Sequence, residues 1–156
     1  MKFKKRILYI DNSLYNIGIG GSHKSLYTLI DGLDKTKYEP FLLLNQKNGI
    51  IFQFFSKLKI PIFLLEIQLP ENRTNPFKNN IGKISVTQQS KNTTVRNLFG
   101  ILIQLIRYIF PMTLKTILLI KKLKIDIIHT NARIGSNQHG ILSGRLTRTP
   151  IISHII

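Results

Sequence analysis

A chain of 156 residues with 23 Lys and Arg against seven Asp and Glu carries a formal charge of +16, which asks for an anionic partner: nucleic acid, anionic lipid or a phosphorylated small molecule. Its apolar content of 43% suits one globular domain with a real core. The absence of cysteine excludes disulfide frameworks, thiolate catalysis and cysteine-based zinc sites, and four scattered histidines among so few acids argue against a metal cage.

The opening "MKFKKRILYIDNSL" offers only Ile7–Ile10 as an apolar stretch before Asp11 interrupts it. That is too short for a secretory signal, so a place in the cytoplasm or on the cytoplasmic face of a membrane is expected. Ile7–Ile10 is apolar without alternation and predicts a strand buried on both faces. Gly18, Gly20 and Gly21 follow. Ser22, a favourable N-cap, then opens a helix with Leu26, Leu29, Ile30 and Leu33 at helical spacing. Phe41–Leu44 reads as a second strand. Ile51, Phe54, Phe55 and Leu58 share a face of the next helix, and "IPIFLLE" is a third buried strand entered through Pro61.

From Gln68 to about Asn97 the periodicity dissolves into polar sequence, which predicts a mobile or functional insertion. "LFGILIQLIRYIF" is then apolar nearly all round. Pro111 is expected to break or kink it, and "MTLKTILLIKKLK" continues as a helix with a basic end. Leu98–Ile120 has the length of a bilayer span, but Gln104, Arg107, Pro111 and Lys115 sit in its middle. Each Arg or Lys there costs about 2.5–3.5 kcal/mol, so a buried or interfacial helix pair is the better reading. "KIDIIHTN" is a fourth strand carrying His129, Thr130 and Asn131 at its carboxyl end. "SNQHGILSGRL" makes a short helix whose Gly140, Ser143 and Gly144 allow close packing on a sheet, while its His139 is expected in solvent. "TPIISHII" supplies a fifth strand.

Such alternation predicts an α/β, Rossmann-like, doubly wound parallel sheet in three layers, a single domain over 1–156 with its polar insertion at 68–97. Ligands of these sheets bind at the carboxyl ends of the strands, where the Gly18–Ser22 loop, the His129–Asn131 tip and the His154 region would gather. The glycine loop lacks G-x-G-x-x-G, and the second strand ends at Asn45 rather than an acid, so a nicotinamide or flavin cofactor is not expected; neither is a P-loop. What remains is a helix N-terminus whose free amides favour an anion, with Lys24 on its first turn, or else glycines that only permit a sharp turn.

In order along the chain, "RILYIDNSLYNIGIGGSHKSLYTLIDGLDKTKYEPFLLL", "GIIFQFFSKLKIPIFLLE" and "KKLKIDIIHTNARIGSNQHGILSGRLTRTPIISHI" resemble the amino-terminal half of the retaining glycosyltransferases of family 4. The resemblance covers nearly the whole chain outside 68–97. It departs from the family at His23, where a Glu often stands, which puts a carboxylate role there in doubt.

The resemblance implies the acceptor-side half of a GT-B enzyme, two Rossmann-like domains around a cleft. It implies no metal and no bound cofactor, a nucleotide-sugar donor, and a glycan or lipid-linked acceptor. By carry-over Gly20, Gly21 and Ser22 would lie against the donor diphosphate, with His23 and Lys24 facing the cleft. His154 would be the catalytic-side histidine, and His129 and Asn131 would lie on the acceptor side. His129 also reads as a structural histidine under the sheet edge. The donor-binding domain with its Glu-x₇-Glu motif would lie beyond Ile156, in a missing domain or a split partner chain, leaving this chain incomplete and inactive alone.

Charge leaves an alternative open. Between Glu71 and Asp126 no acid occurs while ten Lys and Arg do, which fits a non-catalytic basic module on nucleic acid or on an anionic membrane surface. No aromatic-rich RNA signature or recognition-helix pattern accompanies that charge, so nucleic acid is the less favoured partner.

Overall fold

The computed structural model describes residues 4–11, 18–45, 49–66, 109–131 and 137–154. The expected insertion at 68–97 and the apolar run at 98–108 lie outside them. The elements are β1 (Lys5–Asp11), α1 (Gly21–Asp31), β2 (Tyr38–Leu44), α2 (Ile50–Ser56), β3 (Ile62–Leu64), α3 (Phe110–Leu123), β4 (Ile127–Asn131), α4 (Gln138–Thr147) and β5 (Ile151–His154).

All five strands join one parallel sheet in the order β3-β2-β1-β4-β5. The expected α/β, Rossmann-like architecture is what the chain adopts. Short unbroken apolar runs form these strands because both faces of a parallel sheet are covered. Leu8, Ile10, Phe41, Leu43 and Ile128 point to one face and meet Met112 and Ile120 of α3. Ile7, Tyr9, Leu42 and Leu44 point to the other and meet Leu26 and Ile30 of α1 and Phe55 of α2. Two cores, one on each side, make three layers.

Two boundaries depart from expectation for local reasons. The N-cap of α1 is Gly20, in extended conformation at φ −84° and ψ 177°, rather than Ser22, which lies inside the helix. Pro111 falls in the first turn of α3, where its missing N–H has no helical partner to lose. Both α3 and α4 end on a basic residue in the left-handed region, Lys124 at φ 51° and Arg148 at φ 58°. The Ile125 N–H then closes on the Ile120 carbonyl at 3.0 Å and the Thr149 N–H on the Gly144 carbonyl at 2.9 Å.

At the amino edge, Arg6 ties three elements. Its Nη1 donates to the Leu123 carbonyl at 2.8 Å, its Nε pairs with Glu39 at 3.0 Å, and its backbone N–H donates to Asp126 Oδ2 at 2.7 Å. This bond to Leu123 shows that α3 runs from the carboxyl edge of the sheet back to the amino edge. Among the described residues no helix is long and apolar enough to cross a membrane.

Candidate functional site: the crevice between β1 and β4

In a doubly wound sheet the direction of winding reverses at one pair of strands, and their carboxyl ends splay into a crevice. Here that pair is β1 and β4, so Asp11 and Asn131, paired in register, form its floor. Asp11 is 1% exposed and Asn131 0%. A buried carboxylate needs donors. Asn131 Nδ2 donates to Asp11 Oδ2 at 3.2 Å and also reaches the Ser22 carbonyl at 3.4 Å. Asn137, at the head of α4, donates from Nδ2 to the Asn131 carbonyl.

His23 joins α1 to this floor. Its Nδ1 accepts the Gly20 N–H at 3.1 Å, so the neutral ring carries its hydrogen on Nε2, which faces Asp11 Oδ2 at 3.5 Å. The ring is 8% exposed, with its centroid 6.3 Å from that of Phe55 in an edge-to-face arrangement. His23 therefore acts as a cap, a part a glutamate at the third helical position plays in a capping box.

This bond changes what the glycine loop can offer. The Gly20 amide is occupied by His23, whereas no described group accepts from the amides of Gly21 and Ser22. Gly21 is exposed and has ordinary helical backbone, and a Cβ placed there would stand with nothing within 4 Å among the described residues. Neither backbone conformation nor packing requires glycine at this position. Gly18, by contrast, sits at φ +50°, where glycine is favoured. Lys24 is exposed on the first turn of α1.

Among the other expected residues, His154 closes β5 in register with Asn131, at the same carboxyl edge. His129 lies one step deeper in β4, 9% exposed, with its ring 5.2 Å from Tyr9. Burial there raises the pKa of the Tyr9 phenol. His139 corrects an expectation. It is 2% exposed rather than solvated, its Nε2 finds no partner among the described residues, and burial lowers its pKa to about 4.

Sequence reasoning passed over Asp11, Asn45 and Asn137 as site residues. Asn45 follows β2 at the same edge, 2% exposed, with neither carboxamide atom bonded among the described residues. The Oδ1 atoms of Asn131 and Asn137 are likewise buried without described partners. A signal was present: the apolar runs of β1 and β2 end in Asp11 and Asn45, and β4 closes on Asn131. The crevice thus has a floor of amides and one carboxylate and a lip of helix-terminal N–H groups. Such a lip can receive an oxyanion. No cluster among the described residues could hold a metal ion.

No protein-family model matches the sequence, and no curated relative does. Solved structures do match. A glycosyltransferase from Rickettsia africae ESF-5 superposes with a TM-score of 0.56 at 18% identity, over 96% of this chain and 29% of that one. MurG of Acinetobacter baumannii gives a TM-score of 0.53 at 15% identity, over 97% of this chain and 34% of that one. The likeness is one of fold. The carboxyl-terminal domain of the PF1911 hydrogenase from Pyrococcus furiosus shares it, with a TM-score of 0.55 at 12% identity over 98% and 93%. What is shared is a Rossmann-like α/β fold, found in a glycosyltransferase and not confined to such enzymes. The chain spans about a third of the length of the Rickettsia africae glycosyltransferase and of MurG.

Proposed function

We propose that this chain is the acceptor-side domain of a retaining glycosyltransferase resembling those of family 4. It would work at the cytoplasmic face of a membrane on a nucleotide-sugar donor and a glycan or lipid-linked acceptor. The observation that carries the reading is the lip of the crevice: open amides at Gly21 and Ser22 beside a glycine that the fold itself does not need. A phosphate brought against that backbone uses the space a side chain would fill.

In the transfer, the bond between the anomeric carbon and the donor diphosphate breaks, and the diphosphate departs with the electron pair. The acceptor hydroxyl oxygen forms the new bond on the same face of the sugar, and its proton passes to the departing diphosphate oxygen beside it. Amides fixed at the departing diphosphate stabilise charge where it develops, at no cost of reorganisation. Here the Gly20–His23–Asp11 chain and the bond from Asn131 to the Ser22 carbonyl hold those amides in place. His154 and Asn131, paired in register at the carboxyl edge of the sheet, would lie on the acceptor side. The donor-binding half would come from a second domain or a partner chain.

Titration of the ¹⁵N-labelled chain with uridine diphosphate and with inorganic pyrophosphate tests this reading. The Gly21 and Ser22 amide resonances should shift together, and Gly21→Asp should weaken binding about tenfold or more, since a carboxylate then meets phosphate. Aspartate is favourable in the first turn of a helix, so the variant keeps its fold. Unmoved Gly21 and Ser22 resonances would remove the assignment.

A further inference from the structure

The outward face of α3 and α4 is apolar where a surface helix is ordinarily polar. Phe110, Leu114 and Leu118 recur at every fourth position of α3 and are 65%, 48% and 60% exposed. On α4 Leu142 and Leu146 repeat the spacing, at 42% and 63%. The two helices pack on the same side of the sheet, and Ser143 Oγ donates to the Thr113 carbonyl across their contact at 3.1 Å. Their inward surfaces are already closed by Met112, Thr116 and Ile120 on one helix and Gly140, Ser143 and Gly144 on the other. The exposed leucines are therefore surplus to the core.

Charge narrows what could cover them. Neither helix contains an acid, and Lys121, Lys122 and Arg145 stand exposed in the last turns. A second copy of the chain would set one cationic border against another, in a molecule already at +16. An anionic bilayer suits both features: apolar side chains enter the headgroup–acyl boundary and the cations meet lipid phosphates. We infer that the α3–α4 face is a membrane-docking surface selective for anionic phospholipid. Because α3 starts at the carboxyl edge of the sheet, Phe110 would enter the bilayer beside the rim of the crevice. The inference stands on these two helices and is independent of what the crevice binds.

Flotation of the full chain with phosphatidylcholine vesicles, with and without phosphatidylglycerol and at low and high salt, decides it. The wild type should float with phosphatidylglycerol vesicles at low salt and far less with phosphatidylcholine alone. Leu114→Ser/Leu118→Ser should weaken partition about tenfold or more, and Lys121→Glu/Lys122→Glu by at least about fivefold per lysine. A control pair on the opposite side, Lys35→Glu/Lys57→Glu, should float like the wild type; all four residues in the test pairs are exposed, so far-UV circular dichroism should be unchanged. Failure of the wild type to float overturns the proposal. So does an equal loss in the control pair, which would mean diffuse attraction by net charge. Concentration-dependent dimerisation abolished by the leucine substitutions would assign the face to a second copy instead.

Discussion

Helices α1 and α2 on one side of the sheet and α4 on the other pack on opposite principles. Beneath α1 and α2 the space is filled by bulk: Leu26, Ile30, Phe55 and Leu58 interlock with the strands, and Tyr27–Phe54 and Phe54–Phe55 ring centroids lie 4.8 and 5.4 Å apart. Beneath α4 the space is abolished instead. Gly140 and Gly144 let the helix settle on Ile10, Ile128 and Ile151, while Ser143, Thr113 and Thr116 send their hydroxyls to nearby backbone carbonyls. Helices α1 and α2 are held by what their side chains fill, α4 by how closely its backbone approaches the sheet, while α3 beside it fills its own space with Met112 and Ile120. Identical substitutions should therefore act with opposite sign of volume on the two sides.

The largest effect is expected on the filled side. Phe55→Ala removes a fully buried ring and leaves a cavity, at a cost of about 3–5 kcal/mol, read from the urea midpoint. It also withdraws the ring against which His23 packs. Loss below about 1 kcal/mol would show that this side collapses freely.

Next comes the buried histidine of the other side. His139 has a folded-state pKa near 4 against 6.5 for the free side chain, so the unfolded chain binds its proton first as pH falls. Its stabilisation is whole above about pH 6.5 and declines as pH drops towards 4, by about 3 kcal/mol in all. His139→Gln should lack this component, so its urea midpoint should fall less than that of the wild type between neutral pH and about pH 4. Parallel curves would mean that the ring reaches water before it titrates.

The smallest effect sharpens the contrast. A Cβ at Gly144 would stand 2.5 Å from Ile151 Cδ1 and Cγ1. Crowding of that kind costs about 1–3 kcal/mol, against a gain of up to about 1 kcal/mol in helix propensity. Gly144→Ala should thus lose a net 1–2 kcal/mol or so, and Ile151→Val, harmful alone, should recover part of that loss in a double-mutant cycle. Simple additivity would argue that the helix shifts outward as a body.

This contrast also explains what could be read beforehand. The strands and their order of appearance were legible because a parallel sheet demands unbroken apolar runs, and Ile7–Ile10 and Phe41–Leu44 fall inside β1 and β2. Helix α1 was legible in the same way, through Leu26 and Ile30. On α4 the pattern is inverted: Leu142 and Leu146 face out while His139, Gly140 and Ser143 face in. The small residues Gly140, Ser143 and Gly144 marked the face that packs on the sheet, and it does so; His139, one turn before Ser143, lies on that same buried face, which its polar side chain concealed. The glycine loop was visible as glycine, but not the bond from the Gly20 amide to His23. That bond depends on a ring being pinned between Asp11 and Phe55, residues remote in the chain. The floor of the crevice is likewise assembled from strand ends whose nearness only the sheet order creates.

That order has a consequence for synthesis. The hydrogen bond from Asn131 to Asp11 closes a gap of 120 residues, because β1 lies between β2, its immediate successor, and β4, which leaves the ribosome much later. Until then β1 can zip to β2 and β2 to β3, but its other margin remains a bare ladder of donors and acceptors open to any passing strand. Closing so long a loop is slow and costly in entropy. The crevice therefore cannot close until β4 has been made, and a chain interrupted upstream of β4 would lack not merely part of a site but the seal on its most adhesive flank.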